Sequence, residues 1–280
     1  MKVAVTGATG FVGRHVVAEL ERRGLFAVLL CRAETVLPSH FLAHTVVRFD
    51  LRELPENAFS ALGEPDVLIH LAWGGLPNYN SLHHFEEELP AQYRFLKRLI
   101  EAGLMNLVVT GTCFEYGMKS GLLCEDAEAR PANPYGFAKD ALRHQLEFLR
   151  QTSRFNLTWA RLFYLHGEGQ AESSLLPQLK RAVKVGDPVF KMSGGEQLRD
   201  YLPVIDAAKY LVSLAMNGHD NGVLNVCSGT PVSIRKLVQN WIQENAWTID
   251  LDLGHYPYPN YEPMEFWGDK EKLGRCLRLG

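Results

Sequence analysis

The sequence has few cysteines, no long apolar run and no cluster of basic residues, and each absence excludes a class of protein. The five cysteines are scattered and never spaced as C-x-x-C, which argues against a disulfide framework and against a metal site of the zinc type. No apolar segment approaches the ~18 residues of a membrane span, so we expect a cytoplasmic protein without a membrane partner. The formal net charge is -3 and the basic residues form no runs, which predicts no nucleic-acid partner.

The first strong pattern is the segment KVAVTGATGFVG at 2–13, in which a short apolar strand leads into glycines and then into a helical pattern. A helix that begins at such a turn directs unpaired backbone N–H groups and the positive end of its dipole toward an anion. Glycines there let a pyrophosphate approach the main chain. We therefore predict a dinucleotide site, although G-x-x-G-x-x-G spacing is by itself also typical of an ordinary strand-to-helix turn.

The ends of the next apolar segments predict which dinucleotide binds. The segment FAVLLC at 26–31 is followed by Arg32, and an arginine there can neutralise the 2′-phosphate of NADP. We therefore favour NADP (NADPH), with NAD possible and a solvated surface charge as the alternative role of Arg32. The segment at 45–49 ends at Asp50 and Leu51, which are placed to reach the adenine edge, unless Asp50 only caps the following turn.

Strand-like and helical segments alternate five times along the first 161 residues, which favours an α/β fold with a doubly wound parallel sheet of the Rossmann type. We expect residues 1–163, with 203–229 returning to them, to form the dinucleotide-binding domain. Residues 164–202 and 230–280 are expected to form a smaller C-terminal substrate-binding lobe. The amphipathic segment 90–103 can pack on the sheet or pair across a dimer, and we expect a homodimer.

A tyrosine and a lysine four residues apart carry the predicted chemistry. Tyr135 and Lys139 follow Asn133, a plausible helix cap, and their spacing places both on one helix face. A neighbouring ammonium can lower the pKa of a phenol from its usual ~10. Thr112, at the end of the fifth predicted strand, could donate to a carbonyl oxygen, so the three side chains fit hydride transfer with a nicotinamide. Each residue alone is more typical of packing or of a strand end.

Together these motifs resemble the extended short-chain dehydrogenase/reductase family of NAD(P)-dependent nucleotide-sugar epimerases, dehydratases and reductases. The similarity covers nearly the whole chain and includes HLA at 70–72, YG at 116–117, RDYLPVID at 199–206 and NVCSG at 225–229. It implies cofactor contacts from Gly7, Thr9, Gly10, Phe11, Val12, Gly13, Arg32, Asp50, Leu51, Leu71, Ala72, Tyr135 and Lys139. It implies contacts with a nucleotide-diphosphate sugar from Trp73, Thr112, Tyr135 and Arg199, with Arg199 at the diphosphate unless it forms only a surface ion pair.

The residues directly after Thr112 separate the reactions of the family. The resemblance implies that sugar 4,6-dehydratases carry an Asp-Glu pair there, whereas this chain has Cys113 and Phe114. It also implies that 3,5-epimerase-reductases place a cysteine two residues before the tyrosine, a position that is Phe114 here. Because a shift of one residue in an extended segment turns the side chain to the other face, we expect Cys113 to pack.

The resemblance thus leads to plain carbonyl chemistry at a sugar carbon. We expect NADPH-dependent reduction of the 4-keto group of a dTDP- or GDP-linked 4-keto-6-deoxyhexose, in the synthesis of precursors for polysaccharides such as O-antigen or for glycosides. The first alternative is a nucleotide-sugar 4-epimerase with tightly bound NAD. The second is a non-catalytic NADP-sensing regulator.

Overall fold

The computed structural model describes residues 1–258 and 262–278. The strands are β1 (Val3–Thr6), β2 (Ala27–Cys31), β3 (Thr45–Arg48), β4 (Val67–His70), β5 (Asn106–Thr112), β6 (Gly121–Leu123), β7 (Asn156–Leu162), β8 (Tyr164–His166), β9 (Val189–Lys191), β10 (Leu198–Pro203), β11 (Gly222–Val226), β12 (Pro231–Ser233), β13 (Asp250–Asp252) and β14 (Phe266–Gly268). The α-helices are α1 (Phe11–Arg22), α2 (Ala58–Ala61), α3 (Leu89–Glu101), α4 (Pro134–Leu149), α5 (Leu175–Val185), α6 (Val204–Asn217), α7 (Ile234–Glu244) and α8 (Glu271–Arg278). Turns of 3-10 helix cover Ser39–Ala43 and Cys113–Tyr116, and a π-helical turn covers His84–Glu88.

A seven-stranded parallel sheet forms the centre of the molecule, in the order β11-β7-β5-β4-β1-β2-β3. The chain order reverses between β1 and β4, and ligands of such sheets bind in the crevice outside the carboxyl ends of the strands at that point. The predicted doubly wound parallel sheet is therefore confirmed. The edge strand β11 was not predicted as a strand, because the sequence indicates only that residues 203–229 return to this domain.

Helices cover both faces of the sheet because both faces of its strands are apolar. Along β1, Val3 and Val5 face the side covered by α1 and α6, whereas Ala4 faces the side covered by α3 and α4. This alternation follows from the two-residue period of a strand. Each fully buried valine or leucine contributes roughly 1.5–3 kcal/mol, so the two layers fix the sheet and the loops at its carboxyl edge.

The remaining strands form small sheets outside the central one, in the orders β12-β10-β8, β13-β9 and β14-β6. Antiparallel pairing of β10 with β12 joins the two segments that were expected to form the second lobe. A separate apolar cluster lies beneath them and includes Leu179, Phe190, Val238 and Trp241. Residues 259–261 and 279–280 of the predicted lobe lie outside the described residues.

Three further features bear on the expectations from composition. Every one of the five cysteines is a free thiol. In the described ranges, no group of three or more His, Cys, Asp or Glu side chains is arranged to hold a metal ion. None of the helices in the same part of the chain combines the length and the apolarity needed to cross a bilayer.

Candidate active site

A groove runs along the carboxyl edge of the sheet where β1, β2, β3 and β4 end. Eight of the residues predicted to contact cofactor or substrate line it, namely Gly7, Thr9, Gly10, Arg32, Asp50, Leu51, Ala72 and Trp73. Phe11, Val12 and Leu71 are not among the residues that line the groove, and their partly buried side chains pack against the apolar core.

The N-terminus of α1 opens into this groove without a competing anion. The helix begins after Gly10 with no side-chain cap, and its first turn contains no acidic residue. Gly7 has φ +70°, and a Cβ there would lie 2.7 Å from the backbone nitrogen of Ala72. A Cβ at Gly13 would lie 2.0 Å from the carbonyl oxygen of Gly7. The glycines therefore hold the helix close to the strand, and the uncapped N–H groups fit a pyrophosphate.

Arg32 stands at the end of the groove that follows β2. Its side chain is 64% exposed, and Nε lies 3.3 Å from the carboxylate of Glu34. The loop behind it is held by Arg48, which donates to the carbonyl oxygens of Arg32, Ala33 and Thr35 at 2.9–3.1 Å. Arg32 is therefore free to turn toward a ligand while its backbone stays fixed, and the loop residue Thr35 lines the same end of the groove.

Asp50 combines the two roles that the sequence left open. Its carboxylate accepts from the backbone nitrogen of Arg52 at 2.8 Å and therefore caps the turn after β3. The same carboxylate pairs with the Arg52 guanidinium at 2.7 Å, which lowers the pKa of Asp50 to about 2. Both side chains also line the groove, so a charged pair faces the predicted adenosine position.

Thr112 and Tyr135 meet at the carboxyl end of β5. Tyr135 lies in the first turn of α4, which Asn133 caps by accepting from the backbone nitrogen of Gly136 at 2.8 Å. The Thr112 hydroxyl lies close enough to the Tyr135 phenol to affect its ionisation. The Thr112 oxygen also accepts from the backbone nitrogen of Phe114 at 3.3 Å, which leaves the hydroxyl hydrogen available to donate.

The pKa of Tyr135 moves in the direction opposite to the expected one. Tyr135 is only 8% exposed, and burial raises the pKa of its phenol because ionisation would leave a charge in apolar surroundings. The neighbouring Thr112 side chain lowers the pKa of Tyr135, but this effect is smaller than that of burial. In the chain by itself, Tyr135 is therefore protonated at neutral pH.

Lys139 lies on the same face of α4 and is almost completely buried. Its Nζ donates to the carbonyl oxygen of Thr110 at 2.8 Å and lies 5.9 Å from the centroid of the Tyr135 ring. Burial lowers the pKa of Lys139 to about 7, because the low-polarity surroundings disfavour the ammonium. The predicted grouping of Thr112, Tyr135 and Lys139 is thus present in the structure.

Trp73 covers this ammonium. The Lys139 Nζ lies 4.1 Å from the centroid of the indole, whose ring also meets Tyr135 edge-on at 6.0 Å. The indole N–H donates to Nδ1 of His84 at 3.1 Å, and Nε2 of His84 donates to the carbonyl oxygen of Asn78 at 2.8 Å. Trp73, the predicted substrate contact, lines the groove, whereas Lys139 behind its indole does not.

Aromatic side chains that the sequence did not indicate surround Tyr135. Tyr79 lies 5.5 Å from the Tyr135 ring and 4.9 Å from that of Phe114, and Phe114 in turn lies 6.5 Å from Tyr164. Tyr79 belongs to a loop without periodicity, so no local pattern marked it. The sequence draws attention to Phe114 only as the residue that replaces the cysteine or acid of related enzymes.

Arg199 is the predicted site residue whose surroundings differ most from the expectation. It is 3% exposed, and its guanidinium lies 3.0 Å from the carboxylate of Glu262 and 4.7 Å above the ring of Phe266. Tyr164 donates to the other oxygen of Glu262. The ion pair is therefore buried and not at the surface, and Arg199 would bind a diphosphate only if Glu262 released it.

Comparison with known proteins identifies the family. The model of the NAD dependent epimerase/dehydratase family matches residues 3–227, which include the groove, Thr112, Tyr135 and Lys139. The chain belongs to this family. Its members are NAD(P)-dependent oxidoreductases and epimerases that act on nucleotide sugars, so the resemblance to extended short-chain dehydrogenases/reductases is confirmed.

Two curated relatives and one solved structure of the family illustrate the similarity. dTDP-6-deoxy-L-talose 4-dehydrogenase (NAD(+)) of Aggregatibacter actinomycetemcomitans is 30% identical over 96% of this chain and 100% of its own. GDP-6-deoxy-D-talose 4-dehydrogenase of the same organism is 25% identical over 99% of this chain and 91% of its own. The structure of MoeE5 in complex with UDP-glucuronic acid and NAD is 29% identical, with a TM-score of 0.83 over 99% of this chain and 93% of MoeE5.

The two residues directly after Thr112 do not form the acid–base pair that is expected of a dehydratase. Cys113 is 6% exposed and packs in an apolar cluster with Tyr116, Phe163 and Phe266, and burial raises the pKa of its thiol. The first carboxylate after Thr112 is Glu115, which is completely buried. Cys113 therefore packs, as expected.

Proposed function

We propose that this protein uses NADPH to reduce the 4-keto group of a dTDP- or GDP-linked 4-keto-6-deoxyhexose. The observation that carries the proposal is the meeting of Thr112, at the carboxyl end of β5, with Tyr135, in the first turn of α4. Lys139 lies one helical turn along the same face. The proposal is supported by relatives named as 4-dehydrogenases of dTDP- and GDP-linked 6-deoxytaloses, since their reaction in reverse is a 4-keto reduction.

The side chains of this site suit the reductive direction. A nicotinamide held in the groove would supply the hydride. The Thr112 hydroxyl hydrogen, left over from the contact with Phe114, can donate to the sugar carbonyl oxygen and orient it. Because burial keeps Tyr135 protonated at neutral pH, its phenol can give a proton to that oxygen as the C–O bond becomes an alcohol. Lys139, once it contacts ligand, would offset the negative charge left on Tyr135.

Dehydration is disfavoured by the same surroundings. Elimination across C5 and C6 of a sugar needs an acid and a base next to those carbons. The two side chains after Thr112 are a buried thiol and the ring of Phe114, which cannot perform this proton transfer.

The preference for NADPH over NADH rests on Arg32. Its exposed guanidinium at the end of β2 can reach a 2′-phosphate, and Thr35 lines the groove beside it. One of the relatives is named as an NAD(+) enzyme and another, 28% identical, as an NAD(P)(+) enzyme, so cofactor choice varies within this group.

A nucleotide-sugar 4-epimerase is the second candidate, because the same three side chains would serve a transient ketone. A relative named as UDP-glucose 4-epimerase, of Halalkalibacterium halodurans, is 24% identical over 99% of this chain.

We also propose a cytoplasmic homodimer. On α4, Phe137 and Phe148 are 52% and 67% exposed and could form the contact between two protomers. Sedimentation would measure the mass of the protein in solution and so test for a dimer.

The deciding experiment incubates the purified protein and NADPH with dTDP-, GDP- and UDP-linked 4-keto-6-deoxyhexoses and follows the loss of NADPH absorbance. We expect turnover with a dTDP or GDP sugar, a C4 alcohol as the product, and strongly reduced turnover by Tyr135→Phe. Purified protein that retains NAD and interconverts C4 epimers without consuming NADPH would establish the epimerase instead. Binding of NADPH without either reaction would favour a sensing regulator.

A further inference from the structure

The carboxylate of Glu115 ties the end of β5 to the neighbouring strand β7. Glu115 is fully buried, and Oε1 accepts from the backbone nitrogen of Thr112 at 2.8 Å. The indole N–H of Trp159 lies 3.0 Å from Oε1, and Nε of Arg161 lies 2.7 Å from Oε2. An acidic side chain this deep in a protein is costly unless it is paired and hydrogen-bonded. Both conditions are met here.

These contacts determine where the Thr112 hydroxyl lies. Thr112 and Glu115 form a capping box, in which the side chain of each binds a backbone N–H of the turn that joins them. The carboxylate passes directly over Gly111, where a Cβ would lie 2.5 Å from Oε1 of Glu115 and 2.2 Å from Nε1 of Trp159. The turn is therefore held by β7 through Glu115.

The charge of Glu115 also affects the protonation of Lys139 and Tyr135. It favours the protonated form of Lys139 and disfavours ionisation of Tyr135. The titratable groups that surround Lys139 are Tyr135 on its own helix, and Glu88, Glu115, His70 and His84 on the elements packed against it. Of the two carboxylates, only Glu115 also binds Thr112.

We propose that Glu115, held by Arg161, is a positioning residue of this site that fixes the turn bearing the Thr112 hydroxyl beside Lys139 and Tyr135. The inference rests on the proposed function for its kinetic readout. Glu115 would not touch the substrate, because its oxygens are bound to Thr112, Trp159 and Arg161. It would act through Thr112 and Lys139.

The first test is Glu115→Gln, which keeps the shape of the side chain and removes its charge. We expect kcat to fall roughly 10- to 100-fold with KM for the keto sugar nearly unchanged, as for a misplaced catalytic group. Because loss of the negative charge makes the Lys139 ammonium less favourable, the alkaline limb of the kcat–pH profile should move to lower pH. Glu147→Gln, at the far end of α4 and paired with Arg143, is the matched control and should change neither property.

A second variant separates positioning from folding, because Glu115→Gln leaves Arg161 buried beside a neutral amide. Glu115→Gln combined with Arg161→Gln replaces the ion pair by two amides that can bind each other. We expect this double variant to regain thermal stability while its alkaline limb stays displaced. A double variant with wild-type kcat and a wild-type pH profile would overturn the proposal.

Failure of the proposed function can be told apart from failure of this inference. Isotope-labelled lysine, with Lys139→Met for assignment, allows the Lys139 ammonium to be titrated by NMR in protein without cofactor or substrate. A lower pKa of Lys139 in Glu115→Gln than in wild type supports the inference even if no keto sugar is reduced. An unchanged titration contradicts it even if wild-type protein is an active reductase.

Discussion

The ammonium of Lys139 lies 4.1 Å from the centroid of the Trp73 indole, and this contact separates the lysine from the groove that fits the cofactor. A cation over an indole face is stabilised by roughly 1–2 kcal/mol when both are shielded from water. The hydrogen bond from Trp73 to His84 holds the ring in this position. We therefore expect the indole to turn aside when Lys139 contacts a ligand in the groove.

Binding of the oxidised cofactor should therefore change the fluorescence of Trp73. We expect titration with NADP+ to alter the emission of wild-type protein, and we expect most of that change to be missing in Trp73→Phe. Trp247→Phe is the control, because Trp247 packs against the separate apolar cluster that includes Leu179 and Trp241. An equal change in wild type and Trp73→Phe would show that the indole keeps its place.

Loss of the Tyr135 hydroxyl should slow reduction strongly without unfolding the protein. Because we propose the phenol as the proton donor, we expect Tyr135→Phe to lower kcat/KM about 1000-fold, within the range for general acid catalysis. Thr112→Val should also lower the rate, and it should cost about 1 kcal/mol of stability because it removes the cap on Phe114. Thr112→Ser keeps the hydroxyl and should retain most activity. Equal rates for the serine and valine variants would contradict a role for the hydroxyl.

Replacement of Lys139 should change the pH dependence of stability in a defined direction. The pKa of Lys139 is about 7 in the folded protein and about 10.5 when unfolded, so between these values the unfolded chain binds more protons and stability rises with pH. Below pH ~7 the folded protein carries the full cost of a buried ammonium. Lys139→Met should therefore gain stability relative to wild type at pH ~6 and lose that gain toward pH ~10. Urea unfolding at several pH values measures this, and a difference independent of pH would contradict it.

Charge at the end of β2 should control the preference for the phosphorylated cofactor. We expect Arg32→Ala to weaken NADPH binding about tenfold, since one charge-assisted contact is lost, and to leave NADH binding nearly unchanged. Glu34→Gln should act in the opposite direction, because it releases Arg32 from its ion pair. Calorimetric titration of both variants with both cofactors is the measurement. Equal weakening for NADPH and NADH would assign Arg32 a structural role.

Close packing at the first helix should make Gly13 intolerant of a side chain. The Cβ of Gly13→Ala would meet the carbonyl oxygen of Gly7 at 2.0 Å, so α1 must move away from β1. We expect a loss of roughly 3 kcal/mol in the free energy of unfolding, at the upper end for overpacking. Gly274→Ala in α8 is the control, since its nearest neighbour is the flexible end of Arg278 at 3.6 Å. It should be neutral or slightly stabilising.

The sequence by itself determined the elements whose signals are local. The glycines at 7, 10 and 13, the alternation of apolar strands with amphipathic helices, and the four-residue spacing of Tyr135 and Lys139 depend on backbone sterics and helical periodicity. These features are sufficient to predict the parallel sheet, the groove at α1 and the grouping with Thr112. Strand and helix ends differed by one or two residues, because hydrogen-bond partners outside the segment fix them.

Only the tertiary structure decided the electrostatic state of the site. The pKa of Tyr135 depends on how much water its neighbours exclude. The four-residue separation of Tyr135 and Lys139 in the sequence does not predict how deeply the phenol is buried. The partner of Trp73 is His84, in the π-helical turn eleven residues further on, and the partner of Arg199 is Glu262, 63 residues away. Such contacts arise when separate segments pack together, so no periodicity marks them in advance.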